Sequence, residues 1–335
     1  MINLKKYNIG VVGATGLVGR TILKLLEEYQ VPIKKLKLFA SNASEGKILK
    51  VFDKDFKISR LEEGCFKNLD YVLFSAGSEV SKIWAPKAVK TKAYVIDNSS
   101  CFRMDDNCAL IVPEVNFSSY HGKSKIIANP NCSTIQCVVI MKIFDQLFKL
   151  KRINYTTYQS VSGSGQKGIN ELDRVLSNKE NLFYPYDISQ TVIPEIDEFL
   201  DNGYTKEEMK MVNETQKILE RPDLLISATC VRVPIRRCHS VSIMCELEND
   251  FSYEQFENEL VNYPNVVLLD NPKNHLYPNS LIAKDNDLIY VGRIRKDLSS
   301  PKIVHLFVTS DNIRKGAASN AVEILEKLIN EQGKK

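Results

Sequence analysis

Cys132 is the residue whose surroundings in the sequence most favour chemistry. It lies in the run Asn129-Pro130-Asn131-Cys132-Ser133-Thr134, between a predicted strand at residues 125–128 and an apolar helix predicted over about residues 134–150. The first turn of a helix presents unpaired N–H groups and the positive end of the helix dipole, which stabilise an anion. A thiol there loses its proton more readily, and the thiolate is the nucleophile. Cys132 is therefore either a nucleophile or a small buried apolar residue.

Four charged residues and a histidine could serve such a nucleophile. His239 ends a strand-and-bend segment with Arg232 seven residues before it, which suits a base beside an arginine that binds a carboxylate. Glu207 and Lys210 are three residues apart on a charged helix. This spacing alone predicts an exposed ion pair that contributes little to stability. Arg103 follows a predicted strand, where it binds a phosphate or carboxylate or is simply a solvated surface arginine.

The N-terminal segment has the pattern of a dinucleotide-binding fold. A β-branched run at residues 7–12 predicts a buried parallel strand, Gly13, Gly16 and Gly19 follow it, and the apolar spacing of residues 20–28 predicts a helix. Glycines in this position let the backbone approach a pyrophosphate at the helix N-terminus. The spacing G-x-x-G-x-x-G is looser than G-x-G-x-x-G, so the strand–turn–helix context carries the prediction.

The next predicted strand, residues 36–40, should end beside the adenosine ribose of a bound cofactor. An NAD-selective fold usually places Asp or Glu there to hold the 2′-hydroxyl. This chain instead has Ser41, Asn42 and Ser44, with Lys47 nearby. Small hydroxyls and a lysine suit a 2′-phosphate and favour NADP, whereas an ordinary polar turn would leave the preference open.

Composition narrows the class of protein. The chain has 335 residues, enough for two domains, and its 44% hydrophobic and 26% charged content is typical of soluble globular proteins. The net charge of +4 is spread along the chain and gives no argument for nucleic acid. We find no membrane-spanning run or signal peptide, and the eight cysteines show no metal-binding spacing. We therefore expect no membrane, no nucleic acid, no metal and a cytoplasmic location.

The order of predicted elements indicates an α/β protein with two domains. Strands and helices alternate over roughly the first 125 residues, which predicts a Rossmann-type doubly wound parallel sheet. Later strands are long and few helices separate them, which predicts an α+β domain with a mixed sheet; these strands are expected at residues 153–161, 228–245, 289–295 and 302–308. We predict a nucleotide-binding domain at residues 1–128, completed by a C-terminal helix at 313–335, and a catalytic and dimerisation domain at 129–312.

The whole chain resembles the aspartate-β-semialdehyde dehydrogenase family. Matching segments occur in the family's order at residues 13–19, 97–103, 112–116, 129–134, 158–165, 207–210, 228–239 and 314–320. The resemblance implies NADPH-dependent reductive dephosphorylation of L-aspartyl-4-phosphate to L-aspartate-4-semialdehyde and phosphate, and the reverse phosphorylating oxidation. This step feeds lysine (or diaminopimelate), threonine and methionine synthesis. The resemblance also implies a homodimer or homotetramer.

The resemblance implies a role for each site residue. Cys132 would be the nucleophile, His239 the acid and base that takes and returns protons, and Gln159 the group that orients the acyl intermediate. Arg232 would bind the substrate carboxylate and Glu207 its ammonium. Phosphate would be held by Arg103, Asn131 and Lys210. Cofactor contacts would come from Gly13, Thr15, Gly16, Leu17, Val18, Ser41, Asn42, Ser44, Ala76, Gly77, Ser162, Gly163 and Asn320.

Two departures and three alternatives qualify the resemblance. Ser78 lies where a second glycine is common in the family, a change that we expect to be tolerated. Many members carry an arginine where this chain has Ala43, which weakens the preference for NADP and leaves NAD use open. N-acetyl-glutamyl-phosphate reductases share the fold plan and a Cys/His pair, but they act on an acylated nitrogen, for which Glu207 would be misplaced. A phosphate-free aldehyde dehydrogenase would not need Arg103 and Lys210. A dinucleotide-binding sensor without chemistry leaves the Cys, Gln, Arg and His set unexplained.

Overall fold

The chain folds into two compact units. A computed structural model describes residues 5–120, 122 and 124–332, so the ends of the predicted domains at residues 1–4 and 333–335 lie outside the described part. One unit comprises Met1–Pro130 with Ala317–Lys335, and the other comprises Asn131–Gly316. None of the helices described combines the length and the apolar character needed to cross a membrane.

The first unit is built on a parallel sheet. Its strands are β1 (Tyr7–Val12), β2 (Ile33–Phe39), β3 (Ile48–Val51), β4 (Lys54–Ser59), β5 (Tyr71–Phe74), β6 (Tyr94–Asp97), β7 (Ala109–Leu110) and β8 (Ile126–Ala128). Its helices before residue 130 are α1 (Leu17–Glu28), α2 (Ser78–Lys90) and α3 (Pro113–Asn116). The strand order is β3-β4-β2-β1-β5-β6-β8-β7, and each neighbouring pair except β3 with β4 is parallel. The predicted doubly wound sheet is confirmed.

The β3–β4 hairpin was not predicted from the sequence. Its turn is formed by Phe52 and Asp53, both of which have positive φ (53° and 55°). Two-residue hairpin turns with positive φ usually contain Asn-Gly or Asp-Gly, and that signal is missing here. Side chains in the left-handed region cost conformational energy, so the flanking strands must hold this turn in place.

The second unit is built on a mixed sheet. Its helices are α4 (Cys132–Phe148), α5 (Gly165–Leu176), α6 (Lys206–Leu219), α7 (Tyr253–Glu259) and α8 (Ser280–Ala283). Its strands are β9 (Leu150–Gln159), β10 (Leu225–Arg232), β11 (His239–Leu247), β12 (Val266–Leu268), β13 (Ile289–Lys296) and β14 (Ile303–Ser310). The order is β10-β9-β11-β14-β13-β12, in which β9 with β10 and β12 with β13 are parallel and the other pairs antiparallel. The predicted α+β class is confirmed.

The predicted strand run over residues 228–245 is interrupted. β10 and β11 are separate strands that lie on opposite sides of β9. The chain turns between them because Pro234 cannot donate a ladder hydrogen bond and Cys238 has a φ of +75°. The prediction of one continuous segment was wrong, and the break is what places two functional residues beside β9.

The C-terminal segment returns to the first unit. A π-helical stretch at Arg314–Ser319 leads into α9 (Asn320–Gln332). Apolar side chains of this C-terminal segment pack in one buried cluster with residues of β1 and α1. They include Ala318 of the π-helical stretch and Val322 and Leu325 of α9. The apolar spacing of this helix is what allows one of its faces to join that core.

Candidate active site

Cys132 is the first residue of α4 and is half-buried. Asn131 caps the helix, since its side-chain Oδ1 accepts hydrogen bonds from the N–H groups of Ser133 (2.9 Å) and Thr134 (3.3 Å). Gly316 leaves room beside the cysteine, because a Cβ atom at that position would lie 3.2 Å from the Cβ of Cys132. The structure therefore places the predicted nucleophile at a capped helix N-terminus.

The sheet of the second unit aligns three predicted site residues. Gln159 of β9 pairs with Arg232 of β10 on one side and with His239 of β11 on the other. Residues directly opposite on neighbouring strands point to the same face and have Cβ atoms about 5 Å apart. All three residues are buried. An amide, a guanidinium and an imidazole thus form one row across the sheet.

Glu207 joins this row to the helix of the cysteine. Its Oε1 accepts hydrogen bonds from Nδ2 of Asn131 (2.9 Å) and Nε2 of Gln159 (3.2 Å), and its Oε2 accepts one from Nζ of Lys210 (3.1 Å). Burial alone would raise the pKa of Glu207, but the charge of Lys210 and these hydrogen bonds outweigh it and lower the pKa to about 2. The interpretation as an exposed ion pair is wrong, because Glu207 is only 5% exposed.

His239 is fully buried and held in one tautomer. Its Nδ1 accepts a hydrogen bond from the backbone N–H of Ser160 (3.0 Å), so the neutral ring carries its proton on Nε2. Nε2 is buried and has no hydrogen-bond partner within the described residues. Burial first, and then the positive charge of Arg232, lower the pKa of His239 to about 3. At neutral pH the ring is therefore uncharged and offers an N–H donor at Nε2.

Arg232 lies beside the histidine with little space to spare. Its Nη1 donates to the carbonyl oxygen of Ser160 (2.7 Å), and the side chain is buried. A Cβ atom on Gly163 would lie 2.5 Å from Nη1 of Arg232 and 3.2 Å from Nε2 of His239. Only glycine at position 163 lets both polar groups keep these positions.

Several polar residues that sequence reasoning missed support the cluster. Oδ1 of Asn312 accepts hydrogen bonds from the backbone N–H of Cys238 (2.9 Å) and from the hydroxyls of Ser160 and Ser162 (3.2 Å each). Ser162 was predicted to contact the cofactor, but its hydroxyl is buried in this network. Oε2 of Glu214 accepts a hydrogen bond from the backbone N–H of Asn131 (2.6 Å). The run of polar residues at the end of β14 was the sequence feature that could have indicated a role for Asn312.

In the first unit, the turn after β1 has the geometry that a dinucleotide needs. Gly13 has a φ of +81°, and a Cβ there would lie 2.6 Å from the carbonyl oxygen of Ser75. A Cβ on Gly19 would come within 2.1 Å of the carbonyl oxygen of Gly13, so glycine is what lets α1 pack on the turn. Among the described residues no side chain caps α1, which begins at Leu17 after Gly16. Its first N–H groups therefore suit a pyrophosphate.

Other predicted cofactor residues also lie around this sheet. Gly77, after β5, has a φ of +87° and precedes α2. Asn320, the first residue of α9, donates from Nδ2 to Oδ1 of Asn129 (2.6 Å) and to the carbonyl oxygen of Ile111 (3.0 Å). Its Oδ1 is buried without a hydrogen-bond partner in the described chain. An unused buried acceptor fits a carboxamide donor such as that of nicotinamide.

Arg103 is anchored within the first unit. Its Nε donates to the carbonyl oxygen of Asn129 and its Nη2 to that of Asn98, both at 2.9 Å. The residue is 7% exposed, so the interpretation as a solvated surface arginine is wrong. Backbone carbonyls thus fix the orientation of its guanidinium.

The end of β2 carries the residues predicted to meet the ribose. Ser41, Asn42 and Ala43 are exposed, and Ser44 is half-buried in a short 3₁₀ turn. Phe39 of β2 pairs in parallel with Ser59 of β4, so Arg60 leaves the sheet at the same edge as Ser41. Nε of Arg60 lies 3.8 Å from Oε1 of Glu45 at the end of that turn. Sequence reasoning missed Arg60, because the β2–β4 pairing is not visible in the sequence.

The thiols and acids form neither bridges nor metal clusters in the part of the chain described. None of the eight cysteines is in a disulfide. Over the same residues, no group of three or more His, Cys, Asp or Glu side chains has the arrangement of a metal site.

Both halves of the chain match known semialdehyde dehydrogenase families. Residues 8–122 match the family described as "Semialdehyde dehydrogenase, NAD binding domain", and residues 141–315 match "Semialdehyde dehydrogenase, dimerisation domain". An aspartate-semialdehyde dehydrogenase of Aquifex aeolicus is 46% identical over 97% of this chain and 98% of the relative. One from Bacillus subtilis is 44% identical over 96% and 97%. The chain belongs to the aspartate-semialdehyde dehydrogenase family. It is therefore an oxidoreductase with a nicotinamide-dinucleotide domain.

Solved structures of family members have the same fold. The crystal structure of aspartate semialdehyde dehydrogenase II from Vibrio cholerae, solved also in complex with ASA, superposes with a TM-score of 0.92 at 41% identity. The match covers 97% of this chain and 99% of that one. A Candida albicans member solved with NADP has a TM-score of 0.75 at 25% identity, with coverage of 97% and 99%. The resemblance stated from sequence motifs is confirmed.

Proposed function

We propose that this protein catalyses the NADPH-dependent reductive dephosphorylation of L-aspartyl-4-phosphate to L-aspartate-4-semialdehyde and phosphate. The main observation behind this proposal is that Glu207 is buried and ionised. Its hydrogen bond from Asn131 connects it to the helix of Cys132, and its hydrogen bond from Gln159 connects it to the row that contains Arg232. A buried anion and a buried cation side by side suit an α-amino acid head group, with one partner for the ammonium and one for the carboxylate. The aldehyde would feed lysine, threonine and methionine synthesis.

Cys132 performs the covalent step in this proposal. With the head group held by Arg232 and Glu207, the thiolate attacks the acyl carbon and forms a C–S bond. The C–O bond to phosphate then breaks, and phosphate leaves with the electron pair. NADPH, when bound, supplies the hydride that reduces the thioester carbon. The C–S bond then breaks, which releases the aldehyde and returns Cys132 to the thiolate.

We assign His239 to the substrate oxygen as a hydrogen-bond donor, which differs from the acid and base role that the resemblance implies, because the neutral ring already carries its proton on Nε2. Its Nε2–H donates a hydrogen bond to that oxygen as negative charge develops, once when the thiolate adds and again when the thioester is reduced. The backbone N–H of Ser160 keeps Nδ1 as an acceptor, so the proton stays on the nitrogen that faces Gly163. Gln159 orients the acyl group from its place between Arg232 and His239.

Other predicted site residues are assigned to the phosphate and to the dinucleotide. We assign phosphate to Lys210, Asn131 and Arg103, of which the last has a guanidinium preset by two carbonyl groups. We assign the pyrophosphate to the turn of residues 13–18 and the nicotinamide end to Asn320. Gly163 leaves space at the reacting centre.

We propose a preference for NADP over NAD. No carboxylate follows β2 directly, and Arg60 reaches the turn where many family members carry an arginine in place of Ala43. Arg60→Gln is expected to raise the Kd for NADP about tenfold, since a charge-assisted contact to the 2′-phosphate is lost, while the Kd for NAD stays nearly constant. Fluorescence titration with both cofactors measures this. Lys54→Gln, at the far end of β4, is the matched control, and equal losses for both cofactors would contradict the proposal.

The reaction is tested by the reverse assay. Purified protein is expected to reduce NADP with aspartate semialdehyde only when phosphate is present. N-acetyl-glutamate semialdehyde is expected to give at most about 1% of that rate, because its acylated nitrogen cannot pair with Glu207. Phosphate-independent turnover, or preference for the acetylated substrate, would overturn the proposed function.

We also propose a homodimer or homotetramer, a cytoplasmic location and the absence of a metal cofactor. The second unit matches a dimerisation domain, and one face of its sheet is incompletely covered: Tyr158 is 39% exposed and contacts the half-buried Phe307. That face is our candidate subunit interface. Sedimentation of the purified protein gives the number of subunits.

A further inference from the structure

Asp197 holds the lysine that we assign to phosphate. Its Oδ2 lies 2.7 Å from Nζ of Lys210, which also lies 3.1 Å from Oε2 of Glu207. The side chains of Asp197 and Lys210 are 35% and 25% exposed, so solvent shields this pair only in part. Lys210 thus stands between two carboxylates, one belonging to the proposed ammonium site and one outside it.

The backbone presets the position of the Asp197 carboxylate. Asp197 has a φ of +69°, and its Oδ1 accepts the N–H of Glu198 (3.0 Å), which leaves Oδ2 directed at Lys210. The segment is also paired with β10, because Ile193 and Arg232 exchange backbone hydrogen bonds of 2.9 and 2.8 Å. A left-handed aspartate whose Oδ1 accepts a hydrogen bond within its own loop and whose Oδ2 contacts Lys210 is a built feature rather than a chance surface contact.

We infer that Asp197 sets the phosphate affinity of the active site by competing with phosphate for Lys210. This inference rests on the proposed function, which assigns phosphate to that lysine. The two carboxylates and one ammonium carry a net charge of −1, which opposes the approach of a phosphate dianion, and phosphate can pair fully with Lys210 only by replacing its contact with Asp197. The competing carboxylate weakens phosphate binding, and it favours phosphate release when the acyl phosphate has been consumed.

Asp197→Asn tests this competition. Asparagine has the same shape, tolerates the left-handed region and can still accept the N–H of Glu198, but it carries no charge. The KM for phosphate in the oxidation of aspartate semialdehyde is expected to fall about three- to tenfold, because the repulsion is removed. Calorimetric titration with inorganic phosphate should show the same fall in Kd. General damage to the active site would also change the KM for the aldehyde. That KM should therefore stay constant if the effect is specific to phosphate.

Two further variants keep the test decisive. Glu198→Gln removes the neighbouring exposed carboxylate, which pairs with Lys206, and it should leave the phosphate constants unchanged. Asp197→Gly removes the carboxylate and relieves the strain of the left-handed backbone. It should therefore lower the KM for phosphate as Asp197→Asn does, and it remains informative if the asparagine amide disturbs folding.

The results separate this inference from the proposed function. Unchanged or weaker phosphate binding in both Asp197 variants, while Lys210→Met weakens it, would overturn the inference alone. No effect of Lys210→Met on phosphate would overturn the phosphate assignment and the inference with it. If the protein fails to turn over aspartate semialdehyde, the calorimetric Kd still decides whether Asp197 competes for Lys210.

Discussion

Replacement of Cys132 by alanine is expected to lower kcat by at least about 10⁴-fold in both directions, because the thioester route needs a sulfur nucleophile at the start of α4. The fold should survive, since Cys132 is half-buried and the Asn131 cap does not use the thiol. The measurement is steady-state turnover with saturating phosphate and NADP. Thermal unfolding of the variant should stay close to that of the parent protein.

Cys65→Ala is the matched control for this loss. Cys65 is also half-buried but lies in the first unit, where its carbonyl oxygen accepts a hydrogen bond from Lys37. That bond uses the backbone and survives the substitution, so turnover should be unchanged. Full activity of Cys132→Ala would exclude covalent catalysis by this thiol, whereas no turnover of the parent protein with either aldehyde would favour the sensor interpretation.

Replacement of Arg232 by lysine is expected to lower kcat/KM for aspartate semialdehyde about 100-fold. A lysine ammonium cannot make the planar two-point contact that a guanidinium offers to a carboxylate, and losing it costs about 2–3 kcal/mol. Lysine would also leave the carbonyl oxygen of Ser160 without its 2.7 Å hydrogen bond. Most of the effect should appear as a higher KM, measured by varying the aldehyde at fixed phosphate.

Arg236→Lys, four residues further along the chain in the turn after β10, provides the comparison. Arg236 pairs with Asp173 and its side chain is 60% exposed, so the substitution should alter neither kcat nor KM. If Arg232→Lys behaved like this control, the carboxylate would have to bind elsewhere. The buried Glu207 would then remain as the only assigned partner of the head group.

Local sequence patterns predicted the elements that carry the chemistry. The β-branched run and glycines before α1 identified the nucleotide turn, and the polar–apolar boundary at Cys132 identified the start of α4. These signals are local because backbone conformation at a turn or helix end depends on a few neighbouring residues.

The assembly of the second unit could not be predicted from local patterns. Residues 228–245 were predicted as one continuous segment, yet Arg232 and His239 reach Gln159 from opposite sides of β9. Strand pairing is a long-range property, and nothing in the sequence of β10 or β11 specifies which neighbour each will choose. The row of three site residues came from the resemblance to a family and not from periodicity.

Charged residues were the hardest to interpret from the sequence. Glu207 and Lys210 have the spacing of an exposed helical pair, and Arg103 has the position of a surface arginine, but Glu207 and Arg103 are buried. Their burial depends on partners far along the chain, such as Asn131 for Glu207 and Asn129 for Arg103. Asp197 escaped notice for the same reason, since its partner Lys210 lies 13 residues along the chain on α6.

Asn131 limits how this enzyme could be redesigned. One amide does two jobs, because its oxygen caps α4 while its nitrogen donates to Glu207. An aspartate would cap the helix equally well but would face Glu207 with a second negative charge, and a serine has no separate donor and acceptor to span both. An engineer who alters the ammonium site through Glu207 therefore also disturbs the cap of the helix that carries the nucleophile. Substrate preference and nucleophile placement in this protein are not independently adjustable.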